Sequence, residues 1–311
     1  MSRVRELANH YMSNPGYVTI DYPRVKEVAL VLKDFKLELP TWDFPPFYPQ
    51  SQDFEEMCLY YLLFSSINYC YFDEYGNKFT DGKLRSSTLA GLRITENWED
   101  LKNMEFLAHV DPAYMLGELF KADVPISLVS ERAAAFREIG EYLLANPDFT
   151  FRKMFARMHD DAYMVSHMIP VVFPTWEDPF YKRAQLFVGM VEGRFPGTFK
   201  RLEELTVFAD YRIPQTLHSL GILNYSGPLI TYIGSETLIP VGSQPEVELR
   251  AATIVACDAL TEELNEFHGG NLNILHTDYL LWSAMRGKND LPAGLLVRHQ
   301  YDHHRTMTTH Y

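Results

Sequence analysis

The chain is short of cysteine, of long apolar runs and of basic charge, and each shortage removes a class of explanation. Its 311 residues include three cysteines, Cys58, Cys70 and Cys257. They show no Cys-x-x-Cys spacing and are odd in number, which argues against a disulfide framework or a thiolate zinc site. All three stand among apolar residues, where a buried, reduced thiol is the usual case. No stretch approaches the ~18 uninterrupted apolar residues of a spanning helix. The charged start Met1-Ser2-Arg3-Val4-Arg5-Glu6 has no apolar leader core behind it. A cytoplasmic protein with no membrane partner is expected. Lysine and arginine total 28 against 41 aspartates and glutamates, a net charge of −13. That balance opposes a stable nucleic-acid complex, because such affinity rests on cations that neutralise phosphates. It does not oppose a pocket for one phosphate, where a few local cations suffice. No internal repeat, low-complexity segment or clean domain boundary interrupts the chain.

What the chain does have is apolar material: 47% hydrophobic and 14% aromatic residues. This supports one large domain or two small ones, and length does not decide between them. The spacing predicts mostly helices. Ser2–Met12 reads as a first helix stopped by Asn14-Pro15-Gly16. Asp21 can cap a second, in which Val25, Val28, Ala29, Leu32 and Phe35 recur at helical spacing. Leu39–Gln52, with four prolines, reads as an ordered loop. Ile67-Asn68-Tyr69-Cys70-Tyr71-Phe72 alternates weakly and predicts a short strand, with a turn over Asp73–Gly82 after it. From Ser86 to Arg157 the pattern is helical, broken at Asp111-Pro112, Val124-Pro125 and Asn146-Pro147, and Ser127–Arg132 starts a long helix through Leu144. Pro170–Pro179 reads as a proline-punctuated connection. Ser243-Gln244-Pro245-Glu246 fits a capping box opening a helix to about Phe267. Apolar on most sides, that helix is expected to be central and buried. The fold class is therefore mostly α: a single globular helical domain over residues 1–311 with a small β element.

One stretch, Phe180 to Leu220, draws attention as chemistry. In Phe208-Ala209-Asp210-Tyr211-Arg212-Ile213-Pro214-Gln215 a carboxylate follows apolar residues and precedes a ring and a cation. Pro214 favours a first helical turn and Gly221 a stop, so Asp210 is expected at a bend entering a helix from about Ile213 to Leu220. Such a carboxylate is either a cap, or an ion-pair partner of Arg212, or a working group.

These residues, with Phe180–Gln185, Gly221–Ser226 and Gly242–Arg250, resemble the queuosine salvage family. These are hydrolases that free queuine from queuosine 5'-monophosphate. Further matches lie in Asp278-Tyr279-Leu280-Leu281-Trp282 and, weaker taken singly, in Ser66-Ile67-Asn68-Tyr69-Cys70-Tyr71-Phe72 and His303-His304-Arg305-Thr306. Order and spacing hold from about residue 50 to Tyr311. Phe72 replaces an expected tryptophan, no proline precedes His303, and Met307 stands where a basic residue is expected. The resemblance implies a fold like that of helical DNA glycosylases and places the essential aspartate at Asp210.

The implied reaction explains the residue types. Cleaving an N-glycosidic bond builds positive charge on the ribose C1', and a carboxylate beneath that carbon stabilises it or bonds to it. In a 7-deazapurine the position of N7 is carbon, so the usual protonation route is closed. The base must instead be held by stacking and by its polar edges. Asp210 is the candidate catalytic residue. Candidate substrate contacts are Asn68, whose amide both donates and accepts, with Tyr69 and Phe72; Tyr211 and Arg212; and Asp278, one helical turn from Trp282. Glu248 can project into the pocket, although acidic residues opening a helix are also favoured by its dipole. Lys182 and Arg183, being consecutive, point about 100° apart on a helix. Lys182 is taken as the ligand contact and Arg183 as readily a solvated residue, while Gln185 is expected to pair with backbone. His303, His304 and Arg305 offer donors to a phosphate. No His-x-x-x-His set accompanies them, and His299 and His310 are irregularly placed, so neither metal nor organic cofactor is expected. The partner is a small molecule, queuosine 5'-monophosphate. A nucleic-acid base-excision glycosylase, or a non-catalytic binder of the nucleotide or of queuine, are the alternatives.

Overall fold

Seven helix starts among the described residues are written as an oxygen-bearing side chain that accepts a hydrogen bond from the first turn. Ser2, Asp21, Asp53, Asn103, Asp111, Thr150 and Asp161 do so for the helices Arg3–Tyr11, Tyr22–Val31, Phe54–Ser66, Met104–Leu107, Pro112–Tyr114, Phe151–Arg157 and Ala162–Val172. Each satisfies an N–H that the helix itself cannot reach, a contribution of about 1 kcal/mol apiece. The computed structural model describes residues 2–284, 292, 295 and 302–311; His299 lies outside them. The described residues are predominantly helical, as expected, with only two short antiparallel pairs of strands. No helix among them is long and apolar enough to cross a membrane.

Backbone contacts group into two compact units. The first is Met1–Leu39 with Leu202–Met307, and the second is Pro40–Arg201 with Thr308–Tyr311. In the first, the Gln244–His268 helix is the axis. The Arg3–Tyr11, Tyr22–Val31, Arg212–Ser219 and Ile274–Ala284 helices pack on it. Leu249, Ala252, Ile254, Ala256, Cys257 and Leu260 are wholly buried, as an all-round apolar helix requires. Gly269, at φ 67°, ends it. Strand Val18–Ile20 pairs with Leu223–Tyr225, Thr19 opposite Asn224, so the unit's two chain segments are stitched together. The capping box does not form as expected. Ser243 Oγ donates to the Pro240 carbonyl, while Glu246 accepts from Gly242 N at 2.9 Å.

In the second unit the Phe54–Ser66 helix packs on Lys182–Arg194 and on Val129–Ala145, and Lys182–Arg194 also packs on Ala162–Val172. Pro170 sits inside the last of these rather than in a connection. The strand expected over Ile67–Phe72 is a turn instead. Cys70 takes a left-handed φ of 34°, and only Phe72 forms a bridge, to Lys78. The small hairpin lies further on, Thr80–Asp81 against Leu84–Arg85. All three cysteines are buried thiols, and burial raises the pKa of each.

Close helix contact in the second unit rests on glycine. A Cβ on Gly140 would stand 2.4 Å from Ala108 N, a backbone atom that cannot swing aside. Gly140→Ala is therefore expected to cost about 1–3 kcal/mol by overpacking. Gly117→Ala, where nothing lies within 4 Å, should be neutral or mildly stabilising. Urea unfolding of the two variants checks this, and equal midpoints would contradict it.

Candidate functional site

The run Leu205 to Ala209 is buried along its whole length and is pinned on both flanks of its last peptide. Asp278 Oδ1 accepts from Phe208 N at 2.9 Å, and Arg250 Nε donates to the Ala209 carbonyl at 3.1 Å. The next residue is Asp210. Its Oδ1 accepts from Arg212 N at 2.7 Å and from Ile213 N at 3.1 Å, capping the Arg212–Ser219 helix. Its Oδ2 has no hydrogen-bond partner among the described residues, and the side chain is half-buried. Cap and available oxygen thus coexist in one carboxylate, one oxygen fixing its direction while the other stays open.

The ion pair considered for Asp210 and Arg212 is absent. Only the Arg212 backbone N–H reaches the carboxylate. Its guanidinium turns to Gln215 Oε1 at 3.0 Å, with Cζ 5.5 Å from the Tyr211 ring centroid. Helical positions i and i+3 share a face, and that draws Arg212 along its own helix. Tyr211 is buried and its ring lies 4.5 Å, centre to centre, from that of His303.

His303 and His304 are both buried. Burial first, then the charge of Arg212, pulls His303 down to about 3; burial and Arg250 do the same to His304. Both are therefore neutral at pH 7. His303 Nδ1 lies 2.8 Å from the His304 carbonyl, which can only accept, so Nδ1 carries the proton and Nε2 is the acceptor nitrogen. Positive charge at this segment comes from Arg305, whose Nη2 meets Glu236 at 2.8 Å and whose carbonyl accepts from Ile239 N. Glu248 is spent on the fold: its oxygens accept from the backbone N–H groups of Gly16, Tyr17 and Val18 and from Gln244 Nε2.

In the second unit, Lys182 opens the Lys182–Arg194 helix, with Asp178 accepting from Phe180 N and Lys182 N. The Lys182 ammonium donates to Asn68 twice, at 2.7 Å to its carbonyl and 2.9 Å to Oδ1. An ammonium has no acceptor, so the amide orientation of Asn68 is settled by chemistry. Asn68 Nδ2 is consequently directed as a donor, while Oδ1 gives one of its two lone pairs to Lys182. Asn68 is also the half-buried residue in a turn otherwise buried from Ser66 to Phe72, which includes Tyr69 and Phe72. Arg183 is not solvated. It is 1% exposed, donating to the Ser66 and Thr175 carbonyls at 2.7 Å each. Burial pulls its guanidinium down to about 10, which still leaves it charged at neutral pH. Gln185 pairs with backbone as expected, through the Phe180 carbonyl. Sequence reading missed Arg132 and Asp178. An arginine in a helix usually points to water, and nothing in the local pattern marks one that does not.

Among the described residues, no group of three or more His, Cys, Asp or Glu side chains could hold a metal ion. A helical scaffold with a half-open aspartate at a helix start suits a glycosidic-bond hydrolase. Residues 47–311 match the family model described as "Queuosine salvage protein". A protein of Sphaerobacter thermophilus named queuosine 5'-phosphate N-glycosylase/hydrolase is 32% identical, over 94% of this chain and 93% of its own length. Proteins of the same name from Dictyostelium discoideum (29% identical; 81% of this chain, 77% of that one) and Bos taurus (31%; 57% and 58%) are also similar. The chain belongs to the queuosine salvage protein family, whose function is broadly that of a glycosylase/hydrolase.

The neutral histidines carry a pH dependence. In the unfolded chain they take up protons near pH 6.5, and in the folded one only near 3. Between those values the unfolded state holds more protons, so stability falls as pH drops from about 6.5 to about 3 and is fully present above. Replacing both residues, His303→Gln with His304→Gln, should flatten that dependence by as much as about 1.4 kcal/mol per pH unit per histidine. Denaturant unfolding at stepped pH reads the slope. A variant slope equal to that of the wild type would contradict the neutral assignment.

Proposed function

We propose that this protein hydrolyses the N-glycosidic bond of queuosine 5'-monophosphate, releasing queuine and ribose 5-phosphate. The observation that carries the proposal is Asp210: one oxygen tied to the backbone, the other open, in the motif that resembles the family's essential aspartate. As the bond from the base to C1' lengthens, its electron pair leaves with the base and positive charge spreads over C1' and the ring oxygen. The open oxygen of Asp210 meets that charge. Because Oδ1 is already bonded, the carboxylate does not have to reorganise as the charge develops, which is where preorganised electrostatics gains its advantage. Water supplies the oxygen that ends on C1' and the proton that ends on the base.

The departing 7-deazapurine has no basic N7, so its negative charge must be met at its carbonyl edge and over its ring face. The Nδ2 donor of Asn68 has the polarity for an acceptor edge, while Tyr69 and Phe72 remain candidates for the ring face. Tyr211, Arg212, Asp278, His303, His304 and Arg305 are further candidate contacts. For the two histidines the fitting role is neutral hydrogen bonding, which leaves Arg212 and Arg305 as the cations for the phosphate. The net charge of −13 supports a free nucleotide as substrate over a long polyanion. Buried thiols support a reducing, cytoplasmic setting, where released queuine is available for transfer-RNA modification.

Asp210→Asn tests this. The amide oxygen can still accept from Arg212 N and Ile213 N, so the variant is expected to fold with a Tm near the wild type. Release of queuine, followed by mass spectrometry, should drop by at least about 10²–10³-fold. Wild-type protein should release base from the nucleotide and none from transfer RNA. Retention of most activity by Asp210→Asn would overturn the assignment, and tight binding of the nucleotide by wild-type protein without release would overturn the reaction.

A further inference from the structure

Arg132 is the third cation, beside Lys182 and Arg183, to meet the turn after the Phe54–Ser66 helix. It is 0% exposed. Its Nη1 donates to the Ile67 carbonyl, and its Nη2 to the carbonyls of Tyr69 at 2.9 Å and Cys70 at 3.0 Å. Nε donates to the Ser127 carbonyl at 2.7 Å, and Cζ stands 4.2 Å from the Tyr69 ring centroid. All of its hydrogen-bond acceptors are backbone oxygens; no carboxylate pairs with it among the described residues. With Arg183 on Ser66 and Lys182 on Asn68, five consecutive carbonyls, Ser66 through Cys70, each accept from a cationic side chain.

A buried charge without a counter-ion is a costly way to stabilise a core. Here its partners are the outward carbonyls at a helix C-terminus, where the dipole favours a cation, and those of a turn whose left-handed Cys70 removes them from any strand ladder. An apolar residue of similar size would leave the Tyr69 carbonyl bare and the Ile67 and Cys70 carbonyls with only the Tyr69 N–H and the Ser127 hydroxyl. The arrangement fixes the path of backbone on both sides of Asn68, while Lys182 fixes the direction of its amide.

We propose that Arg132 is a positioning residue: it holds the Ile67–Cys70 turn by its carbonyls and so sets where the Asn68 donor points. It touches no substrate itself. This rests on the reading that Asn68 bonds an acceptor on the nucleotide.

Two measurements on the full-length protein test it. Hydrogen exchange needs no substrate. In Arg132→Met, and more mildly in Arg132→Lys, the amides of Asn68, Tyr69 and Cys70 should exchange faster, with the Phe54–Ser66 helix interior unchanged. Unchanged protection of those three amides would overturn the proposal. Kinetics with queuosine 5'-monophosphate then asks whether Arg132 acts through Asn68. Arg132→Met should lower kcat/KM on the order of tenfold to a hundredfold, as a displacement of about 1 Å does, and Arg132→Lys should recover part of that loss. Arg137→Met, on the same helix but bonded to the Val110 carbonyl, should leave kcat/KM unchanged. Combined with Asn68→Ala, Arg132→Met should add little further loss, because both remove one interaction. Losses that multiply in the double variant would sink the positioning role alone. Full activity in Asn68→Ala would sink the substrate role of Asn68 and the proposal with it.

Discussion

Two backbone N–H groups, those of Arg212 and Ile213, hold one oxygen of Asp210, and the chemistry proposed for the first unit follows from the oxygen they leave over. A free carboxylate on a loop would sample many directions. This one is aimed by the first turn of the helix it caps, and the backbone before it is fixed in turn by Asp278 and Arg250. Both of these are buried on the unit's inner helices. The long Gln244–His268 helix therefore matters to function as much as to stability, since Arg250 carries its rigidity to the Ala209–Asp210 peptide. A catalytic group built on such elements is held more tightly than one on a loop alone.

The second unit solves a similar problem with opposite charge. Its turn from Ser66 to Cys70 is bent away from any strand, so its carbonyls have no ladder to join, and buried backbone oxygens must be paired. Lysine and arginine side chains from two different helices supply the donors. The cations also turn a flexible amide into a directed one: with Oδ1 held by Lys182, Asn68 presents Nδ2 as a donor. Recognition by such a group selects for an acceptor on the ligand and rejects a donor there, because a mismatch would leave polar groups unpaired.

Much of this was legible in the sequence. Short-range signals translated directly: Asp21 as a cap, Gly221 as a stop, and the apolar circumference of the Gln244–His268 helix. Asp210 was legible as a bend because Pro214 and Gly221 bracket a helix only eight residues long. What failed was whatever depends on partners far along the chain. Alternation from Ile67 to Phe72 suggested a strand, but Arg132, some sixty residues away, takes the carbonyls a strand would have used. Arg183 read as a surface residue because its acceptors, Ser66 and Thr175, are set by tertiary packing. His303 and His304 read as donors to a phosphate, and that burial keeps them neutral is something no local pattern encodes. The capping box at Ser243 failed more locally, the preceding Pro240 carbonyl claiming the hydroxyl.

The central claim is that the open oxygen of Asp210 lies under the anomeric carbon. A crystal structure with queuine and ribose 5-phosphate trapped together measures that distance. The expected result is Oδ2 about 3–3.5 Å from C1', with Oδ1 still on Arg212 N and Ile213 N. A sugar bound with C1' out of reach of that oxygen, or Oδ2 turned to bulk water in the occupied protein, would contradict it.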